Sequence, residues 1–352
     1  MSRIFITHVV PKDKILEFNI SIAGCNFSYN LIEGKCFDRY YSVLPSFVRG
    51  KVESFEGLVY SPFRNIRILR YIAPLLENIN LFRNISNKDS VWYYNCTPLN
   101  ALLIVLLFLF KPKVKQNIIV LDYTPTQNIK DRFFLWLANH MHGMIKLADS
   151  SLFKVKNSVC LPGVVPDDGI EYPKVEDVTK EFLISGALGD NISMLSMLLD
   201  AFSQMPECTL HITGKAPDEE KVKRYASQYK NIIYHGMVKY DEYLRILHAT
   251  PFLLSTRDPR YPENQCNFPS KVIEALLHNR IIISTINYSQ LDGINYFEVG
   301  SDMESFKEDI QRISSLEAPE IMFYANNSSE VKARFNVKVW NECMTKIENN
   351  HD

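Results

Sequence analysis

From residue 182 onward the chain alternates short, almost wholly apolar runs with longer segments of helical pattern. The runs Phe182–Ser185, Thr209–Thr213, Ile232–His235, Pro251–Ser255 and Ile281–Ser284 are predicted strands. Helices are predicted over 192–204, 218–228 and 240–248, and a further one opens at 269 after a long polar loop, 256–266. Strands that are apolar on both faces and separated by helices belong to a parallel sheet covered on both sides. Three of them run into glycine, at Gly186, Gly214 and Gly236. The missing side chain lets a ligand approach the carboxyl end of the strand, which is where open α/β sheets bind their ligands.

The first half is harder to read, but it carries the same alternation. Strands are predicted at Ile4–Val10, Ser90–Asn95, Asn117–Asp122 and Gly143–Ala148, with helices over 23–34, 98–110 and 131–142. The turn formers of 161–169 and the charged stretch 171–180 mark a boundary. The expectation is an α/β protein of two Rossmann-like parallel-sheet domains, 1–165 and 178–330. Residues 331–352 add a closing helix, with Trp340, that can pack back on the first domain.

Length agrees with this division, since 352 residues exceed what one hydrophobic core usually serves. With 46% hydrophobic and 22% charged residues the composition is that of a soluble globular chain. A net charge of −1 gives no global field directed at nucleic acid. Seven widely spaced cysteines without a CxxC pair argue against a zinc site or a disulfide framework. The N-terminal apolar run is short for a signal peptide, so a cytoplasmic location is expected. One segment, 101–110, is apolar on every face. As a helix it spans only about 15 Å, half a bilayer core. It reads either as a helix buried against a sheet or, with the lysines of 111–115, as a peripheral contact with the inner face of a membrane.

The most informative stretch is Asn267-Phe-Pro-Ser-Lys-Val-Ile-Glu274. Proline at the start of a helix costs nothing, because its missing N–H would have no partner there. Ser270 and Lys271 then sit at the amide-rich, positive end of a helix, which favours an anion. Glu274, at i+3, faces the same side as Lys271. An anion cradle with a carboxylate one turn on suits a nucleoside diphosphate, with phosphates at the tip and ribose hydroxyls at the glutamate.

Five pieces in one order resemble the donor domain of two-domain, GT-B fold glycosyltransferases of the GT4-like (group 1) family. They are Phe182-Leu-Ile-Ser-Gly-Ala-Leu188, Leu198-Leu-Asp-Ala-Phe202, Leu210-His-Ile-Thr-Gly214, Asn231-Ile-Ile-Tyr-His-Gly236 and Phe268-Pro-Ser-Lys-Val-Ile-Glu-Ala275. The resemblance covers 143–346 and implies two domains facing a central cleft. It implies donor-diphosphate contacts at Ser270 and Lys271 and ribose contacts at Glu274. Gly186, Ala187 and Leu188 would lie near the phosphates or sugar, and the backbone of Gly236, Met237, Val238 and on to Tyr240 would hold the base. Two departures stand out. Cys266 occupies the position of the family's first acidic residue, leaving Glu263 as the nearest carboxylate. The stretch 186–199 also lacks the family's Arg and Lys, so Arg257 or Arg260 would have to support Lys271.

In the first half, Asp122 and Tyr123 follow a strand directly, and Asp122 is the candidate catalytic carboxylate beside Lys271 and Glu274. Asn26, Ser28 and His8 are lesser candidates. The resemblance implies transfer of a sugar from a nucleotide diphosphate sugar to an acceptor hydroxyl, with retention and without a metal or other cofactor. The expected acceptor is a glycan or lipid-linked intermediate of bacterial surface polysaccharide, O-antigen or capsule. Two alternatives stay open: a UDP-sugar epimerase of GT-B fold, and a non-catalytic nucleotide-sugar-binding subunit.

Overall fold

A computed structural model describes residues 2–15, 18, 20–45, 54–59, 65–124, 128–167 and 169–350. Asp168, inside the boundary run 161–169, lies outside the described residues. The chain divides into two compact units, 1–167 with 335–352, and 168–334.

The first unit runs β1 (Arg3–Thr7), α1 (Ile22–Glu33), β2 (Arg39–Ser42), α2 (Ala73–Asn84), β3 (Ser90–Tyr94), α3 (Ala101–Phe110), β4 (Lys115–Val120), α4 (Ile129–Asn139), β5 (Gly143–Lys146) and β6 (Ser158–Cys160). The second runs β7 (Glu181–Ala187), α5 (Asp190–Ser193), α6 (Leu195–Ser203), β8 (Thr209–Lys215), α7 (Glu219–Gln228), β9 (Ile232–Gly236), α8 (Tyr240–Ala249), β10 (Phe252–Ser255), α9 (Pro262–Cys266), α10 (Ser270–Leu277), β11 (Ile281–Ser284), β12 (Phe297–Glu298), α11 (Met303–Ser314), α12 (Ala318–Met322) and α13 (Ser328–Phe335). The last helix, α14 (Val337–Asn349), returns to the first unit.

Both sheets are six-stranded and every pairing is parallel, in the orders β2-β1-β3-β4-β5-β6 and β12-β11-β10-β7-β8-β9. In the first sheet, Ile4, Ile6, Val91, Tyr93 and Ile118 pack under Leu81, Leu103, Ile104, Leu107 and Leu137 of α2, α3 and α4. The alternate residues Arg3, Ser90 and Trp92 face the other way. There Glu348 of α14 accepts hydrogen bonds from Arg3 Nε and Nη2 (2.8 and 2.7 Å), Ser90 Oγ (2.6 Å) and Trp92 Nε1 (2.8 Å). Trp340 of α14, fully buried, stands edge-on to Phe27 of α1 and donates to the Gly163 carbonyl at 2.8 Å. Right-handed crossovers account for this division, because β1 to β2 moves one way along the sheet and the later crossovers move the other.

Three regions differ from the sequence reading. The helix expected over 192–204 is two, broken at Met194, which adopts a left-handed conformation (φ 48°). The loop 256–266 contains the one-turn helix α9, with Pro262 in its first turn. The closing helix is split at Asn336, whose backbone is extended (φ −68°, ψ 163°) and whose side chain accepts from Val339 N at 3.0 Å. Elements β2, α2, β6, β12, α11 and α12 had no counterpart in the pattern.

Gly214 is fixed by its neighbour strand. A Cβ there would fall 1.9 Å from the Gly186 carbonyl oxygen, at a φ of +133°. Gly214→Ala is therefore expected to cost about 2–3 kcal/mol in backbone strain and displacement, read as a lower urea midpoint with an unchanged slope.

Candidate functional site

The segment 256–269 leaves β10 at its carboxyl end, so α10 begins at the carboxyl edge of the second sheet. Pro269 occupies the cap position with extended backbone (φ −74°, ψ 117°), and Val272 N closes the first turn on its carbonyl at 3.0 Å. Phe268 is buried edge-on against Tyr288 and pins the entry to the helix. Ser270 and Lys271 are thus the first two helical residues, where backbone N–H groups have no intrahelical acceptor.

Lys271 and Glu274 come together as their spacing predicts, with Nζ 2.7 Å from Oε2. Two further groups hold this pair. The phenols of Tyr240 and Tyr243, on the first turn of α8, donate to the two carboxylate oxygens at 3.2 and 3.1 Å, and Lys271 Nζ lies 4.1 Å over the Tyr243 ring. Burial, followed by the Glu274 charge, pushes both phenols above their ordinary range, so they remain donors at neutral pH. The Ser185 hydroxyl, next to Gly186, faces the Tyr243 phenol. This clamp was absent from the sequence reading. Its signal was the aromatic pair at i and i+3 just after the Gly236 loop.

Gly186 and Gly236 have positive φ (+107° and +68°), and nothing lies within 4 Å of the position a Cβ would take at either. Both strand ends therefore border open space, whereas Gly214 does not. Ala187 and Met237 are exposed and Val238 half-buried. Leu188 is buried, and its amide is spent on the Lys215 carbonyl at 3.1 Å, which leaves that group no donor for a ligand.

The two arginines of the preceding loop differ. Arg260 is tied to Asp258, with Nη2 2.6 Å from Oδ2, and holds that carboxyl below its usual range. Arg257 is anchored by its backbone, which exchanges two 2.7 Å bonds with the Thr285 hydroxyl. Among the described residues its guanidinium makes only long contacts, 3.5 Å to Asn264 Oδ1 and 3.4 Å to the Asn267 carbonyl. Arg257 is thus the better placed to turn toward an anion. Cys266 is buried at the end of α9, and Glu263 is half-buried in its first turn.

Behind α10, His278 Nδ1 and His248 Nε2 are 2.8 Å apart. Burial, then His248, lowers the His278 pKa to about 4, so it is neutral at physiological pH. Buried Arg280 donates to the carbonyls of His278, His248 and Pro173 and locks the far end of the helix.

In the first unit, Asp122 lies exposed two residues beyond β4. Its charge, after burial, raises the Tyr94 phenol. His8, just past β1, stands edge-on to Tyr94 at 5.7 Å, with Nδ1 2.9 Å from the Val43 carbonyl. Burial lowers its pKa and keeps it neutral. Ser28 is buried and bonded to Thr7 at 3.0 Å, so it is structural, while Asn26 is exposed. Among the described residues no group of three His, Cys, Asp or Glu side chains is arranged to hold a metal ion.

Residues 179–315 match the family model described as glycosyl transferases group 1. No curated protein matches the chain by sequence. Among solved structures, Anabaena HepE in complex with UDP-glucose superimposes with a TM-score of 0.70 at 12% identity, covering 99% of this chain and 100% of that one. OtsA, a trehalose-6-phosphate synthase, gives 0.67 at 10% identity, over 99% and 100%. TarM of S. aureus, in complex with fondaparinux, alpha-GlcNAc-glycerol and UDP, gives 0.59 at 13%, over 79% of this chain, which spans only 59% of TarM. The fold is GT-B, with two parallel six-stranded α/β units.

Proposed function

We propose that this chain, a glycosyltransferase of group 1 by its second unit, moves a sugar from a nucleotide diphosphate sugar to an acceptor hydroxyl. The observation that carries the reading is the Lys271–Glu274 pair on the first turn of α10, inside the matched segment. HepE was solved with UDP-glucose and TarM with UDP, and we extend a sugar-nucleotide donor of that kind to this chain.

As the glycosidic bond breaks, negative charge grows on the leaving diphosphate. Lys271 and the open amides of Ser270 and Lys271 offset that charge, an electrostatic contribution that needs no reorganisation during the step. Arg257 supplies the second cation that 186–199 lacks. Glu274, aimed by two tyrosines, receives the ribose hydroxyls. The bare edges at Gly186 and Gly236 admit sugar and base against backbone. Asp122 meets the acceptor hydroxyl, and transfer is with retention. Protein cations carry the charge, so EDTA should leave turnover unchanged.

The acceptor is a glycan or lipid-linked intermediate of surface polysaccharide, handled at the inner face of the membrane. No helix among the described residues is long and apolar enough to cross a membrane. Contact through 101–115 narrows to its apolar end and Lys113. Lys111 is spent capping α2 at the Phe82 and Ile85 carbonyls (2.5 Å each), and Lys115 binds the Glu348 carbonyl.

A thermal-shift panel of nucleotide sugars tests the donor reading. The matching donor at 100 times its Kd should stabilise the fold by about 2.7 kcal/mol, and an acceptor screen with that donor should then yield glycosylated product. A panel in which no sugar nucleotide protects would overturn the donor assignment. Protection without product from any acceptor would assign a binding subunit instead.

A further inference from the structure

We infer that the outer face of α2, α3 and α4 is a docking surface for a bilayer carrying anionic phospholipid. These three helices lie side by side on one face of the first sheet. Phe82 meets Phe110 edge-on, and Asn78 bonds both the Leu99 carbonyl and the Leu103 amide. Each helix buries one stripe in the core, as expected, but the opposite stripe is apolar as well. On α2 and its cap the outward positions are Ile72, Leu75 and Ile79, spaced i, i+3, i+7. Helix α3 has no polar residue at all and ends on exposed Leu109 and Phe110. On α4, Phe133 and Trp136 stack outward, and Trp136 is 52% exposed.

An ordinary surface helix puts polar residues on its outer face, and a soluble protein scatters its exposed apolar side chains singly. Here, among the described residues, twelve of the nineteen exposed large hydrophobic side chains fall on these helices and the turn before α2. The opposite face of the same sheet is covered by α1 and α14 and does not share this property.

Charge decides what the face fits. Arg67, Arg83, Lys113, Lys130 and Arg132 are exposed on or beside it. Among the described residues of these three helices no exposed side chain is acidic, since Glu77 is buried and Asp131 half-buried, and the exposed Asp122 belongs to the loop at the carboxyl end of β4. The whole chain is nearly neutral, with 39 basic and 40 acidic residues, so this is a local segregation. Apolar stripes rimmed by cations match acyl chains beneath anionic headgroups, with a tryptophan suited to the interface. A second copy would bring the same cations against themselves. The inference does not depend on the donor reading, because the face binds lipid whatever the second unit carries.

Flotation of the full chain with phosphatidylcholine vesicles, with and without phosphatidylglycerol, tests it. The protein should float with the anionic vesicles, and less so as salt shortens the screening length. Leu75→Glu with Trp136→Glu, both at exposed positions, should keep the melting curve and lower partitioning by about tenfold or more. Lys130→Gln with Arg132→Gln should lower it by roughly thirtyfold. Wild-type protein that stays unbound beside anionic vesicles would overturn the inference. So would variants that float like wild type, or a solution dimer that Trp136→Glu dissociates, which would assign the face to a second copy. Donor protection, measured without lipid, reports separately on the sugar-nucleotide site.

Discussion

Lys271→Ala should lower turnover by about 10²–10³, the cost of removing one preorganised donor to a developing negative charge, or about 2.7–4 kcal/mol. The effect should be this large because the chain has few cations to share the task. Residues 186–199 contain none, Arg260 is held by Asp258, and Arg257, 3.4 Å from the Asn267 carbonyl, is the other arginine of the preceding loop. The fold should be indifferent, since Lys271 is partly exposed and an ion pair of that kind contributes about 0–1 kcal/mol. Without ligand the ammonium rests on Glu274. On the proposed donor reading, a diphosphate, with more charge than one carboxylate, should draw it away and free Glu274 for the ribose. Kinetics with the donor found by thermal shift, beside an unchanged melt, checks this. Turnover near wild type would remove Lys271 from the phosphate site.

Glu348→Ala should destabilise the protein by about 3 kcal/mol, because it leaves a largely enclosed guanidinium, its side chain 13% exposed, without its counter-charge. Arg3 would retain only Cys36 O, Asn341 and Thr345, and the Ser90 hydroxyl and Trp92 indole would lose their acceptor. The same carboxylate gives stability a pH dependence. Burial alone would raise its pKa, but the bonds from Arg3, Ser90 and Trp92 outweigh burial and lower it. A carboxylate lowered in the folded state contributes stability above its unfolded pKa and loses it as pH falls through the folded value. Wild type should thus lose stability on acidification below the ordinary glutamate range, and Glu348→Ala should lose less. Parallel urea titrations at neutral and acid pH separate the two. Equal acid slopes would show that Glu348 is not the group responsible.

The parts of the fold legible in the sequence are those whose burial is local and uniform. Strand β11, Ile281–Ser284, coincides with its predicted run because every residue is buried on both faces. Strand β2, Arg-Tyr-Tyr-Ser, is an edge strand with one buried residue, and β6 has none, so neither shows an apolar run. Helix α2 escaped for the opposite reason. Its outer face is apolar, which blurs the periodicity that identifies a helix. At the site, Lys271 and Glu274 were legible because i+3 spacing is a property of one helix. The Tyr240–Tyr243 clamp was not, because it joins residues 31 and 34 positions apart along the chain. Nor did composition reveal that Leu188 and Arg260 are already engaged, since that depends on Lys215 and Asp258 in space.

The return of α14 to the first sheet has a consequence for synthesis. The buried pocket for Glu348 is lined by Arg3, Ser90 and Trp92, so the first unit is incomplete until residues made after the whole second unit arrive. At about 5–20 residues per second, the ribosome needs roughly 10–35 s to go from the end of residue 167 to α14. During that time Trp92, later fully enclosed, lacks the Glu348 acceptor, and α1 alone covers that face of the sheet. The second unit, continuous in sequence, can close first. The expected order of completion during synthesis is then the second unit before the first.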